Sequence, residues 1–211
     1  MNPIDAYLHF YRSNPDYFIQ DQDIQIIIDK ETLEQFAKER DCQLGLIYET
    51  KYFWVVIDLI ENAQHHRYPY MRVIHKEPSN GVVIIPRLED KVVFLRQFRH
   101  GTRQIELELP RGFAEAGCTV YENAEQEILE EIGASAQNIE LLGSMISDSA
   151  LTYGPVHLLL CDISSIGKLE QEEGIKDTLL LTKEEILEYI RDNTIRDGFT
   201  ITAIMKWILQ S

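Results

Sequence analysis

The stretch GFAEAGCTVYENAEQEILEEIGA, residues 112 to 134, constrains this chain more than any other. Thr119 and Glu122 have the spacing of a capping box, in which the hydroxyl caps a backbone amide and the carboxylate three residues on reaches back. A helix is therefore expected to start near 120. At about 100° per residue Tyr121, Ala124, Ile128 and Ile132 share one face, the stripe expected to pack on a sheet. Gly133 is placed to end the helix.

Glu127, Glu130 and Glu131 then form an acidic fan beside that stripe. Like charges at i,i+4 destabilise a helix by roughly 0.2–0.5 kcal/mol, and anions in the last turn oppose its dipole by about 0.3–1 kcal/mol. No Lys or Arg between 112 and 134 offsets either effect. A solvated acidic face is one reading. The context supports another: a strand ending at Leu109-Pro110, a loop with Gly112 and Gly117, and a capped helix make a rigid cup. Hard divalent cations take oxygen ligands in such a cup.

The rest of the chain is organised around this segment. IQIII (24 to 28) is strand-like and ETLEQFAKER (31 to 40) helical; GLIYET, YFWVVIDLI and YPYMRVIH read as an antiparallel meander. GVVIIPRL and KVVFLRQF flank Glu89-Asp90 as a hairpin of two well-buried strands. IELELP alternates Ile105, Leu107 and Leu109 against Glu106 and Glu108, a half-buried strand with two carboxylates on one side. IELLGSMI and VHLLLCDI are further strands, and KEEILEYIRD and ITAIMKWILQ closing helices. The expected class is α+β with a mixed sheet. An N-terminal helical and extended segment (1–43) and an antiparallel β segment (44–80) precede the main domain (81–211), with the boundary near 77 to 80.

A length of 211 residues at 45% hydrophobic content suits one substantial domain with an added segment, or two small domains. The net charge of −15 excludes broad binding to nucleic acid, which draws on clustered Lys and Arg. With no basic leader and no apolar run of membrane length, a cytoplasmic protein without membrane partners is expected. Cys42, Cys118 and Cys161 match neither a zinc spacing nor a disulfide framework, so reduced thiols are expected. Cys118 reads as a space filler more readily than as a reactive thiol.

Six of the twenty Lys and Arg, namely Arg87, Lys91, Arg96, Arg99, Arg103 and Arg111, fall within 87 to 111. Forked guanidinium donors match the oxygens of a diphosphate. The alternative is that these are surface charges pairing with Glu106 and Glu108. Trp54, Tyr68 and Tyr70 could stack on a base, although aromatic-rich strands are usually core.

The 112–134 stretch resembles the Nudix box, G-x5-E-x7-R-E-U-x-E-E-x-G-U with U aliphatic. Gly112, Glu127, Ile128, Glu130, Glu131, Gly133 and, loosely, Ala134 match in register; Cys118 and Gln126 replace the first glutamate and the arginine. RQFRHGTRQIELELPRGF (96 to 113) and IRDGFTITA (195 to 203) are similar to the ADP-ribose and nucleotide-sugar pyrophosphatase branch, so the resemblance covers about residues 44 to 211. It implies a Nudix α/β/α sandwich with a mixed sheet. It implies Mg²⁺, or Mn²⁺ in its place, on Glu127 and Glu131, with Glu130 as ligand or water holder and the Arg111 carbonyl completing the set. Gln126 can still donate an amide hydrogen bond to a glutamate.

By the same resemblance Arg99 is the first choice for phosphate, with Arg96 and Arg103 next, and Glu108 is a candidate to hold a metal-bound water. The general base is expected on the loop EQEEGIK (170 to 176), at Glu173, with Glu172 and Glu170 as alternatives. Asp148-Ser149-Ala150 stands where the branch has Ser-Pro-Gly, and a later glutamate is missing at Tyr153-Gly154-Pro155. The expected activity is Mg²⁺-dependent hydrolysis of a nucleoside diphosphate derivative into two phosphomonoesters, in a homodimer associating through residues 1 to 80. The rival expectation is a catalytically weakened nucleotide-binding module.

Overall fold

A computed structural model describes residues 2–76, 81–113, 117–170 and 172–210. The boundary expected near 77 to 80 lies outside them. The chain forms two units, one of residues 1–76 with 148–154, the other of residues 77–147 with 155–211.

In the first unit α1 (Pro3–Ser13) begins under an Asn2 cap, followed by a 3₁₀ turn (Pro15–Phe18), β1 (Ile24–Ile27) and α2 (Lys30–Arg40). Then come β2 (Gly45–Glu49), β3 (Phe53–Asn62) and β4 (Arg67–His75). β3 pairs antiparallel with β4 along nearly its whole length and with β2 and β1 in succession. Thr152–Tyr153 adds a short parallel strand to β4 at Val73 and Ile74. Tyr7, Phe10 and Phe18 pack with Leu33, Leu44, Val56, Leu59 and Ile74, so one core spans residues assigned from sequence to both 1–43 and 44–80. Within it the Asp58 carboxylate accepts from Tyr7 Oη at 2.5 Å and from Arg72 Nε at 2.5 Å, which pairs a fully buried charge.

The second unit contains β5 (Gly81–Leu88), β6 (Lys91–Arg99), β7 (Gln104–Glu108), β8 (Arg111–Gly112), α3 (Val120–Ile132) and β9 (Gln137–Met145). After Thr152–Tyr153, counted as β10, follow β11 (Val156–Asp162), β12 (Ile175–Leu181), α4 (Lys183–Arg191) and α5 (Gly198–Gln210). The sheet order is β12-β6-β5-β11-β9, with β7 on β6 and β8 on β5; β5 and β11 are parallel, so the sheet is mixed as expected.

The unbroken apolar run of β5 reflects cover on both faces. Val82 and Ile84 pack with Ala124, Ile128 and Ile132 of α3, whereas Val83 and Ile85 pack with Ile186 of α4 and Ala203 and Ile204 of α5. This is the three-layer α/β/α sandwich. Three expectations need correction. The β5–β6 hairpin holds for two residue pairs, Arg87–Val92 and Leu88–Lys91, before β5 turns to β8 and β11 and β6 to β7 and β12. Tyr121, placed on the packing stripe, is 46% exposed. Glu106 and Glu108 are buried and Ile105 is exposed, because guanidinium groups meet those carboxylates. Among the described residues no helix is long and apolar enough to cross a membrane.

Candidate active site

The site forms where β6, the β7–β8 turn and α3 converge in the second unit. The start of α3 is fixed by the capping box: Thr119 Oγ1 accepts the Glu122 amide at 3.2 Å and Glu122 Oε2 accepts the Thr119 amide at 2.8 Å. Its end is fixed by Gly133 at φ 61°, whose amide bonds the carbonyls of Ile128 and Leu129. With Ala124, Ile128 and Ile132 on the sheet, the three glutamates take unequal positions. Glu131 is 2% exposed, Glu127 is half-buried and Glu130 is exposed.

The Glu131 carboxylate points inward. Its Oε2 accepts the Arg111 amide at 3.2 Å, and its Oε1 is buried without a hydrogen-bond partner. Burial first, then the neighbouring Glu127 charge, push its pKa up to about 8, and the Glu173 charge adds to the rise; Arg99 and the Arg111 amide pull the other way. Glu127 lies against the loop so closely that a Cβ at Gly112 would fall 1.6 Å from its Oε1. Extended backbone turns a residue's carbonyl to the same edge as its amide, so the Arg111 carbonyl faces the side of Glu131. Glu130 turns elsewhere: its Oε1 accepts from Gln126 Nε2 at 2.9 Å, the amide bond that the Gln126 substitution leaves available.

Among the described residues no group of three His, Cys, Asp or Glu is placed to hold a metal ion. The pair Glu127 and Glu131 nevertheless fits a divalent cation. Two carboxylates face a backbone loop, one buried oxygen lacks a donor, and burial together with the neighbouring Glu127 charge raises the Glu131 pKa, a cost that a divalent cation between the two would offset.

The arginines separate by strand phase. Arg99 shares a face of β6 with buried Leu95, the α3 side; its Nε donates to Glu108 Oε1 at 2.5 Å and its Nη2 is buried without a hydrogen-bond partner. Arg111 Nη2 lies 3.0 Å from Glu108 Oε2 and Nη1 3.4 Å from Asp197 Oδ1, with the guanidinium 4.6 Å over the Phe199 ring. Burial holds the Glu108 pKa above the usual range despite Arg111 and Arg99. Arg96, one residue out of phase, points to the other face and pairs with Asp177 at 2.9 Å. Arg103 bonds His100 and covers Phe98, so neither is brought to Glu131.

On the loop before β12, Glu173 is the acid whose charge reaches Glu131. Glu170 and Glu172 instead line a cavity of about 330 Å³ with Glu130 and Lys168. Asp148, Ser149, Ala150, Tyr153, Trp54, Tyr68 and Tyr70 all belong to the first unit.

Gln97, Asp197 and Arg196 stand at the site without belonging to the expected set. Gln97 is 1% exposed, a polar residue in phase with buried Leu95, which is the signal that it has a partner inside. Asp197 caps α5 through the Thr200 amide at 2.8 Å, a spacing of three before an apolar run that sequence could have flagged. Arg196 forks onto both oxygens of Glu106, at 2.9 and 2.8 Å, an ion pair that the sequence carries no local sign of.

A family model described as NUDIX domain matches residues 77–197. Among curated proteins, the chain is 28% identical over 144 residues to the methanol dehydrogenase activator of Bacillus methanolicus, covering 66% of this chain and 77% of that one. It is 32% identical over 87 residues to the ADP compounds hydrolase NudE of Escherichia coli (strain K12), covering 41% of this chain and 45% of that protein, less than half its length. It is 25% identical over 137 residues to the ADP-ribose pyrophosphatase of Bacillus subtilis (strain 168), covering 63% and 74%. A crystal structure of an ADP compounds hydrolase superposes with a TM-score of 0.71 at 18% identity, covering 91% of this chain and 96% of that one, a likeness of fold.

Proposed function

The chain belongs to the NUDIX domain family, and from that premise we propose that it hydrolyses the diphosphate link of a nucleoside diphosphate derivative, of the ADP-ribose or nucleotide-sugar type, into two phosphomonoesters. The observation that carries the proposal is the buried, partner-poor Glu131 carboxylate set beside Glu127 against the Gly112 turn. The names of two relatives, an ADP compounds hydrolase and an ADP-ribose pyrophosphatase, support the substrate class.

Glu127 and Glu131, with the Arg111 carbonyl, would hold Mg²⁺ or Mn²⁺. When bound, such an ion neutralises charge on the bridging oxygens and lowers the pKa of water. Arg99 offers the diphosphate a guanidinium that Glu108 aims and that keeps one donor unspent. Glu173 takes the proton of the attacking water and returns it to solvent, which its exposed position allows. The ion pairs of Glu108 with Arg99 and Arg111 keep these groups from turning away before substrate arrives.

Incubation with ADP-ribose, nucleotide sugars and dinucleoside diphosphates in MgCl₂ tests this, with Glu131→Gln as control. Release of two phosphomonoesters by the native protein alone is expected. Absence of release from the whole panel, with tight nucleotide binding by calorimetry, would instead establish a binding module. Action as a homodimer through residues 1 to 80 is part of the proposal, and rests on the resemblance to the pyrophosphatase branch. A monomer in sedimentation would remove that part.

A further inference from the structure

We propose that Gln97 is a positioning residue that aims the Glu173 carboxylate at the reacting water by holding the main chain of residue 173. This rests on the role given to Glu173 above and concerns how that role is made possible. Gln97 is 1% exposed, and its Nε2 donates to the Glu173 carbonyl at 3.1 Å. One residue on, the Phe98 amide donates to the Gly174 carbonyl at 2.9 Å. Two consecutive residues of β6 thus grip two consecutive carbonyls at the end of the loop, one through a side chain and one through the backbone.

The grip falls where the ladder changes register. Ile175 pairs with Gln97 but Asp177 with Arg96, so Lys176 is the extra residue of a bulge. Gly174 has φ +87° and a Cβ there would lie 3.0 Å from the Phe98 carbonyl oxygen, a close approach that leaves this crossing point little freedom. At the other end of the loop, the Gly167 amide bonds the Ile132 carbonyl at 2.9 Å and the Glu170 amide bonds the Glu131 carbonyl at 3.2 Å. These contacts tie the loop to the last turn of α3. The loop is therefore anchored both to the helix that carries Glu127 and Glu131 and to the strand that carries Arg99. Gln97, two residues before Arg99 and on the same face, makes the anchor at Glu173 itself.

A second observation separates this role from ordinary packing. Gln97 Oε1 is buried without a hydrogen-bond partner. An amide kept only to fill the core would be improved by an apolar side chain of its size, because an unsatisfied buried acceptor is unfavourable. The half of the amide that has a partner is the half that holds Glu173.

The test is a double-mutant cycle of Gln97→Met and Glu173→Gln on the native chain, with Gln97→Leu used should the Met variant fail to fold. The wild-type background should lose about 10–100-fold in kcat with KM for ADP-ribose within about twofold, since displacement of a base changes the chemical step more than binding. The melting temperature should hold or rise. In the Glu173→Gln background the same change should cost nothing further. Equal losses in both backgrounds, an unchanged kcat in the wild-type background, or full activity in Glu173→Gln alone would overturn the positioning role while leaving the hydrolase reading intact. A native protein that hydrolyses no diphosphate would overturn that reading, and this one with it.

Discussion

The main-chain amide of Arg111 donates to Glu131 Oε2 at 3.2 Å, so the turn before α3 and the last turn of the helix are joined through a carboxylate that is 2% exposed. The joint is sensitive to pH. Glu131 titrates near 8 in the fold against 4.5 in the open chain, so between those values the folded protein holds a proton that the unfolded chain has lost. Stability is full below the lower value and declines as pH rises through the upper one, by up to about 1.4 kcal/mol per unit. In EDTA the melting temperature should fall from pH 5 to pH 8.5, more steeply than for Glu131→Gln. Excess Mg²⁺ should restore it most at high pH, because binding requires the ionised carboxylate. Parallel melting curves for the two proteins would rule this out.

Glu130 and Glu131 are neighbours in sequence and opposites in setting, the one exposed and bonded to Gln126, the other buried. Glu131→Gln should lower kcat by about 10²–10³-fold, the scale of a lost electrostatic group at the reacting centre. Glu130→Gln should cost about tenfold at most, as expected of a residue that supports a site from outside. Equal losses measured side by side on ADP-ribose would contradict the assignment.

Gly112→Ala adds a single methyl group where Glu127 Oε1 lies, 1.6 Å from the new carbon. The carboxylate must move, and the Mg²⁺ concentration for half-maximal rate should rise about tenfold or more, the scale at which repositioning a ligand's support acts. Far-ultraviolet circular dichroism should stay unchanged. A variant with native Mg²⁺ dependence would show that Glu127 does not depend on that turn.

Removing Arg99 takes one of two guanidinium partners from Glu108, whose side chain is 1% exposed. Arg99→Ala should therefore destabilise the protein by about 3 kcal/mol, the low end for breaking a buried pair, since Arg111 remains. Arg196→Ala, which breaks a pair in which the arginine is 43% exposed, should cost clearly less, because solvent screens that pair. Urea unfolding curves compare the two, and a reversed order would count against the buried pair.

The helix α3 was legible because its signals are local: Thr119 with Glu122 at one end, Gly133 at the other, and an apolar period between. The nearness of Glu127 to Glu131 follows from their spacing of four. What separates Glu130 from them is the pull of Gln126 and the angle of the helix on the sheet, which no window of sequence contains. Strand pairing was less legible for a related reason. β8 and β10 have two residues each, and β12 follows an acidic loop with no strand signal of its own at its start; they are strands because distant chain lies beside them. Arg99 ranks ahead of Arg96 by resemblance alone, and the alternation of β6 supplies the physical reason, setting them on opposite faces.

The strand at Thr152–Tyr153 completes the first unit's sheet from within the span of the second. During synthesis the first 76 residues are made with one edge of β4 still lacking its partner, and that partner is made only after the residues of α3 and β9. The two units therefore cannot mature strictly one after the other. A nascent chain stalled before residue 152 should show greater protease sensitivity around Val73 than the finished protein does.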